Sequence, residues 1–358
     1  MKRIAVICAY PKHNPGMYSV DLGLGSIVNT LKKVKVTRFN IQDDYSIKSD
    51  LYKLKYNLLY DASQLEKFDK IIIWGDFLLW LLYGKHEILS KQRKNLTYDQ
   101  IFEKWSNLVF LKNRPDLQKK VIIYGTTLYG INSEQLSNSD YLSMLSELCN
   151  NAQSISFRDV FSANFISQIS QNKNVSYRVD CAFHFNSDKI LKNIQDSPYL
   201  CYSFGRSGCN AELEEFAKDV AKSMNLNAVN LNWLDKSGLP GLINKISIIK
   251  GSSGLITDIY HCGITGMRES IPVIGIGMGA STISSTLSDK KKEVFFTQSF
   301  ANQNYIYAEN ILNPENKTNL IADTCLKLNN NRTHEIINSF IKKKTESDKD
   351  SLIFEILN

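Results

Sequence analysis

The chain has 358 residues, of which 43% are hydrophobic and 22% are charged, and its formal net charge is +7. The length predicts two domains, and the composition excludes disordered, collagen-like and low-complexity proteins. Basic residues are spread along the chain, and the lysine runs at 290–292 and 342–344 predict solvated faces. We therefore expect no nucleic-acid partner.

Cysteine usage and hydropathy favour a cytoplasmic protein. The seven cysteines are scattered without a C-x-x-C pair, so neither a disulfide framework nor a metal site is predicted. The apolar run at 4–9 follows two basic residues, as in a signal peptide, but polar groups at 10–13 interrupt it, and we interpret it as a buried first strand. The longest apolar run, 77–83, is far shorter than the roughly 20 residues that cross a bilayer. No transmembrane segment is expected, and any membrane contact would be peripheral.

Short runs rich in Ile and Val alternate with segments of helical period, a pattern typical of βαβ units around a buried parallel sheet. The first series of strands is predicted at 3–9, 34–39, 70–74, 120–124, 153–157 and 175–179. The polar stretch 186–198 then predicts a linker. A second series is predicted at 199–204, 227–231, 246–249, 254–257, 272–276 and 293–297.

Two successive βα series predict an α/β protein of two doubly wound, Rossmann-like domains that face a cleft, a GT-B-like architecture. We expect an acceptor-side domain at 1–190, a donor-side domain at 198–330 and a C-terminal helix at 333–358. The segments 43–65 and 84–118 are expected to hold helices that shape the acceptor side.

The segment 254–276 is the most informative about chemistry. It predicts a strand, a short turn and a helix, with Pro272 at the entry to another buried strand. His261 falls at the amino end of that helix, where N–H groups and the helix dipole favour an anion. An imidazole beside a bound phosphate is suited to general acid–base catalysis. A lone histidine at a helix start is also commonly a capping or hydrogen-bonded surface residue.

A glycine-containing turn, Gly205–Gly208, follows the first strand of the second series and precedes a helix that starts near Asn210. Glycine lets backbone N–H groups close on an anion, and Arg206 and Ser207 would add a charge and a hydrogen-bond donor. An ordinary βα turn has the same pattern, so both interpretations stand on sequence alone.

The segment around His261 resembles the C-terminal signature of the polysaccharide pyruvyl transferase family, in which a histidine at a helix start is followed eleven residues later by proline. His261 and Pro272 keep that spacing. Other parts resemble the family in the same order: Asp21, which is expected to open the first helix, as a remnant of a Gly-Asp pair, the strand–glycine elements 71–76 and 121–126, Arg158-Asp159 before Ser162, and Asp180 before Ala182-Phe183. These matches span about residues 1–300.

The resemblance implies a transferase that moves pyruvate from phosphoenolpyruvate, as a ketal, onto two hydroxyls of a sugar in a surface-glycan precursor such as an exopolysaccharide or capsule. The expected catalytic residue is His261, and the expected donor-binding residues are Arg158, as the resemblance implies, with Arg206, Ser207 and Tyr260. Asp21 and His13 are expected to contact the acceptor, a sugar or lipid-linked oligosaccharide. Phosphoenolpyruvate is the donor substrate, and no separate cofactor or metal is expected.

Several alternatives stay open. Arg158 could form only a local salt bridge with Asp159, and for Asp180 we favour a structural role. Ile259 stands where family members often carry Arg, which removes a bidentate partner for a carboxylate or phosphate. One alternative function is therefore a catalytically silent glycan- or phosphate-binding relative. Another is a GT-B nucleotide-sugar glycosyltransferase, in which Glu269, eight residues after the histidine, would contact the ribose.

Overall fold

The Ile- and Val-rich runs of the first half form an eight-stranded sheet in the computed structural model, which describes residues 1–9, 14–42, 45–84, 96–128, 137–279 and 287–358. The strands are β1 (Lys2–Cys8), β2 (Val34–Asn40), β3 (Tyr45–Lys48), β4 (Lys53–Leu58), β5 (Lys70–Asp76), β6 (Val121–Thr126), β7 (Ser154–Phe157) and β8 (Val175–Tyr177). Their spatial order is β3-β4-β2-β1-β5-β6-β7-β8. Only the β3–β4 pairing is antiparallel among the strand pairs of the described sheet.

Helices connect these strands, and polar caps define several of their ends. The helices are α1 (Pro15–Val28), α2 (Tyr98–Val109), α3 (Pro115–Gln118), α4 (Ser139–Asn151) and α5 (Val160–Ile169), with 3₁₀ turns at Ala62–Leu65 and Cys181–His184. Thr97 and Gln100 form a capping box that starts α2, and Asp159 caps α5 through the N–H of Ser162. The strand order reverses between β1 and β5, which is the topological switch point where open α/β sheets commonly bind ligands.

The second series forms a five-stranded parallel sheet in the order β10-β9-β11-β12-β13. Its strands are β9 (Tyr199–Ser203), β10 (Asn227–Asn230), β11 (Gly254–Thr257), β12 (Val273–Gly277) and β13 (Tyr305–Tyr307). The helices are α6 (Asn210–Ser223), α7 (Gly238–Gly251), α8 (Tyr260–Arg268), α9 (Leu287–Gln298), α10 (Ala308–Leu312), α11 (Lys317–Leu328) and α12 (Asn331–Leu357), with a 3₁₀ turn at Asn302–Asn304. Leu200, Phe216 and Ile256 belong to the buried core between sheet and helices. The switch point of this sheet lies between β9 and β11.

The chain divides into two compact units. The first unit comprises Met1–Pro11, Ser19–Phe185 and Thr345–Asn358, and the second comprises Lys12–Tyr18 and Asn186–Lys344. The second unit thus begins, after its short first segment, at the start of the predicted linker. The predicted C-terminal helix corresponds to α12, which starts in the second unit and whose last thirteen residues, 345–357, belong to the first.

Two predicted strands of the second series are wrong, because 246–249 lies in α7 and 293–297 lies in α9. A short apolar run fits a buried strand or one face of a helix equally well. In α7 the buried residues Leu239, Leu242, Ile246 and Ile249 recur at helical spacing, and this wider pattern decides the structure.

The segment 43–65 was expected to hold helices, and its described part instead forms the β3–β4 hairpin and a 3₁₀ turn. In β4 the exposed Lys53 and Lys55 alternate with the buried Leu54 and Tyr56, which is the period of a strand. The described part of 84–118 does hold helices, α2 and α3.

Candidate active site

The loop after β9 folds around a carboxylate of this same chain. Asp258 follows β11, and its Oδ2 accepts the backbone N–H groups of Gly205 at 3.3 Å, Arg206 at 2.7 Å and Ser207 at 2.7 Å. Gly208 has a φ of +77°, a conformation that favours glycine and turns the chain toward α6. These loop amides were expected to bind a donor anion. In the structure the anion that they bind is Asp258, a residue that the sequence analysis did not assign to the site.

His261 is the second residue of α8, so its predicted position at a helix start is confirmed. The N-cap residue of α8, Ile259, has an apolar side chain and gives the first turn no side-chain cap. The half-buried imidazole lies edge-on to the ring of Tyr260, with ring centroids 5.1 Å apart, and Tyr260 is edge-on to Phe295 of α9. The aromatic contacts therefore hold the side chains of the first turn of α8 from one side.

Glycine at the start of α1 allows a close approach to the same imidazole. A Cβ atom placed on Gly16 would lie 2.4 Å from Nδ1 of His261 and 2.6 Å from its Cγ, far inside van der Waals contact. Both residues belong to the second unit, which contains Lys12–Tyr18. Gly16 is thus a site residue that the sequence analysis missed, and nothing in its local sequence indicates the contact.

A buried lysine of α9 supports the residue that precedes α8. Lys292 Nζ donates to the backbone carbonyl of Asp258 at 2.8 Å and forms an ion pair with Asp289 at 2.9 Å. Burial lowers the pKa of Lys292 below its usual value, while Asp258 and Asp289 act to raise it. The lysine run at 290–292 was interpreted as a solvated face, and for Lys292, which is 1% exposed, that interpretation is wrong.

Glu269 lies just beyond the other end of α8. Both of its carboxylate oxygens accept hydrogen bonds from Ser187 Oγ, and Oε1 also accepts one from Arg268 Nε. Lys250 completes the cluster with an ion pair of 3.6 Å to Oε2. Glu269 therefore ties the C-terminal end of α8 to neighbouring segments, about 13 Å along the helix from its first turn at 1.5 Å per residue.

Arg158, in the first unit, is held between two aspartates. Its Nη1 donates to Asp180 Oδ2 at 2.7 Å, its Nη2 lies 3.7 Å from Asp76 Oδ1, and its guanidinium stacks over the ring of Phe77. The local pair with Asp159 does not form, because Asp159 caps α5 and accepts a hydrogen bond from Thr127. With its side chain 3% exposed, Arg158 takes part in a buried network at the carboxyl ends of β5 and β7.

Asp21 was expected to open the first helix, and that expectation is wrong, because it lies in the middle of α1 and is fully buried. The hydroxyl of Tyr56 donates to its Oδ2 at 2.6 Å, and the thiol of Cys8 is a second partner. Burial raises the pKa of Asp21 to about 7, although the Tyr56 hydrogen bond acts in the opposite direction. Its role in contacting the acceptor stays a prediction, and the side chain has no solvent-exposed surface in this structure.

Two further histidines, His184 and His13, differ in how far the structure describes them. His184 is a packed residue: it is buried, and its Nε2 lies 2.7 Å from the hydroxyl of Tyr124. Burial lowers the pKa of His184 to about 3, so the ring is neutral. His13 lies outside the described residues, and its contact with an acceptor stays a prediction.

The second unit therefore brings Arg206, Ser207, Tyr260 and His261 to one place, the switch point between β9 and β11. Asp258 joins them, since it binds the loop of Arg206 and Ser207 and precedes the first turn of α8. Arg158 and Asp21 lie in the first unit. From the sequence, Asp258 could be identified only as a polar residue at the end of a strand. Lys292 could be identified only as a lysine within the apolar face of a helix.

A family model described as polysaccharide pyruvyl transferase matches residues 26–279, more than half of the chain. The match includes the segment around His261 and the loop Gly205–Gly208. A comparison with curated protein sequences gives no significant match.

Solved structures of similar architecture cover nearly all of the chain at low identity. UDP-GlcNAc 2-epimerase from Neisseria meningitidis, bound to UDP-GlcNAc, has a TM-score of 0.53 and 14% identity, with 100% of this chain and 99% of that chain covered. α,α-Trehalose 6-phosphate synthase from Burkholderia multivorans has a TM-score of 0.52 and 9% identity, with 99% and 98% covered. UDP-GlcNAc 2-epimerase from Methanocaldococcus jannaschii has a TM-score of 0.51 and 12% identity, with 93% and 94% covered. These likenesses support the predicted fold of two Rossmann-like, GT-B-like domains. In the part of the chain that the structure describes, no helix combines the length and apolarity needed to cross a membrane.

Proposed function

Because the chain belongs to the polysaccharide pyruvyl transferase family, we propose that it transfers pyruvate from phosphoenolpyruvate onto a sugar of a surface-glycan precursor as a cyclic ketal. The observation that carries the proposal is the position of His261. The imidazole lies in the first turn of α8, beside the loop after β9, at the switch point of the second sheet. The cysteine usage supports a cytoplasmic location for this reaction.

The proposed chemistry needs one group that both gives and takes a proton. Protonation of the enol carbon of phosphoenolpyruvate makes C2 oxocarbenium-like, and one sugar hydroxyl adds to C2 and releases its proton. The C–O bond to phosphate then breaks, and the second hydroxyl closes the ring, with its proton passing to the departing phosphate. His261 would donate the proton that reaches the enol carbon and accept the proton that the first sugar hydroxyl releases, a role worth about a hundred- to ten-thousand-fold in rate.

Arg206 and Ser207 are the best-placed donor ligands in the second unit. Because Asp258 occupies the backbone amides of the loop, the loop's contribution to donor binding falls to these two side chains. Arg206 is exposed, and the buried Oγ of Ser207 has no hydrogen-bond partner within the described residues. A guanidinium and a hydroxyl can bind the phosphate or carboxylate of the donor, together with the first-turn N–H groups of α8 near Tyr260.

The position of Glu269 favours this function over nucleotide-sugar transfer. Its carboxylate is engaged by Ser187, Arg268 and Lys250 at the C-terminal end of α8, away from His261. A residue that binds a ribose at the active site would have to leave these partners. The catalytically silent alternative rests on Ile259, which stands where the family often has Arg. A turnover assay distinguishes this alternative from the proposed function.

The proposal is tested by incubating the protein with phosphoenolpyruvate and a panel of nitrophenyl-linked and lipid-linked sugars. The expected result is release of inorganic phosphate that depends on a sugar, with the mass of a pyruvate ketal on that sugar. Protein without sugar and sugar without protein serve as controls.

The three functions give different outcomes. A pyruvyl transferase forms the ketal and is stabilised thermally by phosphoenolpyruvate. A nucleotide-sugar glycosyltransferase is stabilised by a nucleoside diphosphate and forms no ketal. A silent relative binds a ligand and releases no phosphate, and this result would remove the proposed reaction.

A further inference from the structure

Asp258 connects three parts of the second unit that are far apart in sequence. Its side chain gathers the backbone amides of Gly205, Arg206 and Ser207, which lie 51 to 53 residues earlier. Its carbonyl accepts the Nζ of Lys292, 34 residues later. Its own backbone leads directly into Ile259 and the first turn of α8.

These bonds fix the loop through charge as well as geometry. Three N–H groups that converge on one carboxylate oxygen form charge-assisted hydrogen bonds, which are stronger than bonds between neutral groups. Asp258 is fully buried, so little water competes with the loop amides for this oxygen. The loop that carries Arg206 therefore has a strongly held backbone, while the Arg206 side chain itself is exposed.

Lys292 binds the backbone carbonyl of Asp258, whereas the loop amides bind its side chain. Lys292 is 1% exposed and its ammonium is paired with Asp289, so the bond to the Asp258 carbonyl comes from a group that is itself fixed in α9. Because that carbonyl lies three residues before His261, a shift of Asp258 would move the first turn of α8 as well as the loop.

We infer that Asp258 is a positioning residue of the proposed reaction, which sets the donor-binding loop of Arg206 and Ser207 and the His261 turn in one fixed relation, with Lys292 as its support. The inference rests on the proposed function for its kinetic consequence. Asp258 is fully buried, so in this role it acts through the loop and the turn and not by contact with substrate.

The first experiment compares Asp258→Ala with Asp258→Asn. Asparagine keeps an oxygen that can accept the loop N–H groups, whereas alanine removes it. We expect Asp258→Ala to weaken phosphoenolpyruvate binding, measured by calorimetry, at least tenfold and to lower kcat at least tenfold. Asp258→Asn should restore most of the affinity. Equal donor affinity in wild type and Asp258→Ala would overturn the inference.

A matched pair of lysine variants separates positioning from general loss of stability. Lys292→Met removes the support at the amino end of α8, and Lys250→Met removes a lysine that is bound at the other end, to Glu269 and to the carbonyl of Ser187. We expect a similar drop in Tm for both variants and a several-fold weaker donor affinity for Lys292→Met alone. The same change in affinity for both would show that Lys292 acts only on stability.

A readout that needs no substrate keeps this inference separate from the proposed function. In hydrogen–deuterium exchange, Asp258→Ala should raise deuterium uptake in peptides that cover 204–209 and also in those that cover 259–264. Faster exchange in the loop alone would contradict the coupling. If wild type fails to bind phosphoenolpyruvate but both peptides respond, the proposed function is wrong and the coupling stands.

Discussion

At the scale of single residues, the chemistry of the site depends on one imidazole whose surroundings come from distant parts of the chain. His261 has a ring contact with Tyr260 next to it, while the start of α1 and the loop after β9 are brought near by folding. The helix start itself could be predicted from the sequence, since strand, turn and helix follow one another within 254–268. The neighbours from α1 and from the loop after β9 could not, because no local pattern encodes them.

Replacing His261 by alanine should abolish ketal formation with little loss of stability. The side chain is half-buried, so few packing contacts are removed, whereas the proton transfer loses about two to four powers of ten in rate. Sugar-dependent phosphate release and the Tm of the same preparation provide the check. Retention of near-native rates would remove His261 from the mechanism.

Gly16→Ala should lower kcat while leaving the fold intact. The added methyl group would lie 2.4 to 2.7 Å from the Nδ1, Cγ and Cβ atoms of His261, so the ring must move by about 1 Å to restore ordinary van der Waals contact. A displacement of this size in a catalytic group costs more in rate than in stability. Gly25→Ala is a suitable control, because it lies in the same helix and its nearest contact is the 3.4 Å approach of the Arg38 side chain. Equal activities for both variants would argue against the contact.

At the scale of secondary-structure elements, the carboxyl ends of β5 and β6 share one feature, a glycine with a positive φ. Gly75 and Gly125 have φ angles of +67° and +66°, and side chains pack closely against both: Val20 Cγ1 would lie 2.8 Å from a Cβ on Gly75, and Cys181 Sγ 2.5 Å from a Cβ on Gly125. The backbone of the strands turns there, just before Asp76 and Thr126. The sequence indicated strand–glycine elements at both places, but only the tertiary structure identifies Val20 and Cys181 as the groups that pack against them.

Gly125→Ala should destabilise the first unit by about 2 to 5 kcal/mol. The left-handed backbone costs an L-residue about 1 to 2 kcal/mol, and overpacking adds about 1 to 3 kcal/mol because the Cβ would meet Cys181 Sγ at 2.5 Å. Gly208 has a comparable φ of +77°, and no atom lies within 4 Å of a Cβ placed on it. Gly208→Ala should therefore show only the destabilisation that comes from the left-handed backbone. Urea denaturation measures both losses, and equal losses would show that the cysteine contact contributes nothing.

The same scale shows why some elements were predicted wrongly. The apolar run 246–249 and the run 293–297 have the composition of buried strands, yet both belong to helices whose buried faces extend over several turns. In α9 the buried positions include Asp289 and Lys292, which pair with each other and so can lie inside the fold. A buried polar pair of this kind breaks the hydrophobic pattern on which prediction depends.

At the scale of the whole molecule, two buried groups of the first unit shape the pH dependence of stability in opposite directions. Asp21 has a folded pKa of about 7 against an ordinary 3.8, so between these values the folded state holds a proton that the unfolded state has lost. Stability from this group is therefore lost as pH rises from about 4 to about 7. His184 has a folded pKa of about 3 against 6.5, so its contribution is lost as pH falls from about 6.5 to about 3.

Between about pH 4 and 6.5 the two contributions should nearly cancel, since each changes by up to about 1.4 kcal/mol per pH unit. Asp21→Asn should remove one of them, so the free energy of unfolding of this variant rises relative to wild type as pH increases through this window. His184→Gln should fall relative to wild type over the same window. Urea denaturation at several pH values measures both differences, and curves parallel to wild type would contradict the assigned pKa shifts.

The sequence by itself determined the two βα series, the change near residue 186, the helix start at His261 and the resemblance to the family. These features are local, because a strand, a turn or a helix start is written in a few adjacent residues whose spacing follows the backbone period. The tertiary structure alone decided that the loop amides bind Asp258, that Gly16 lies against the imidazole and that Asp21 is buried. Each of these is a contact between residues that are distant in sequence, and its energy depends on which groups the packed sheets and helices bring together and remove from water.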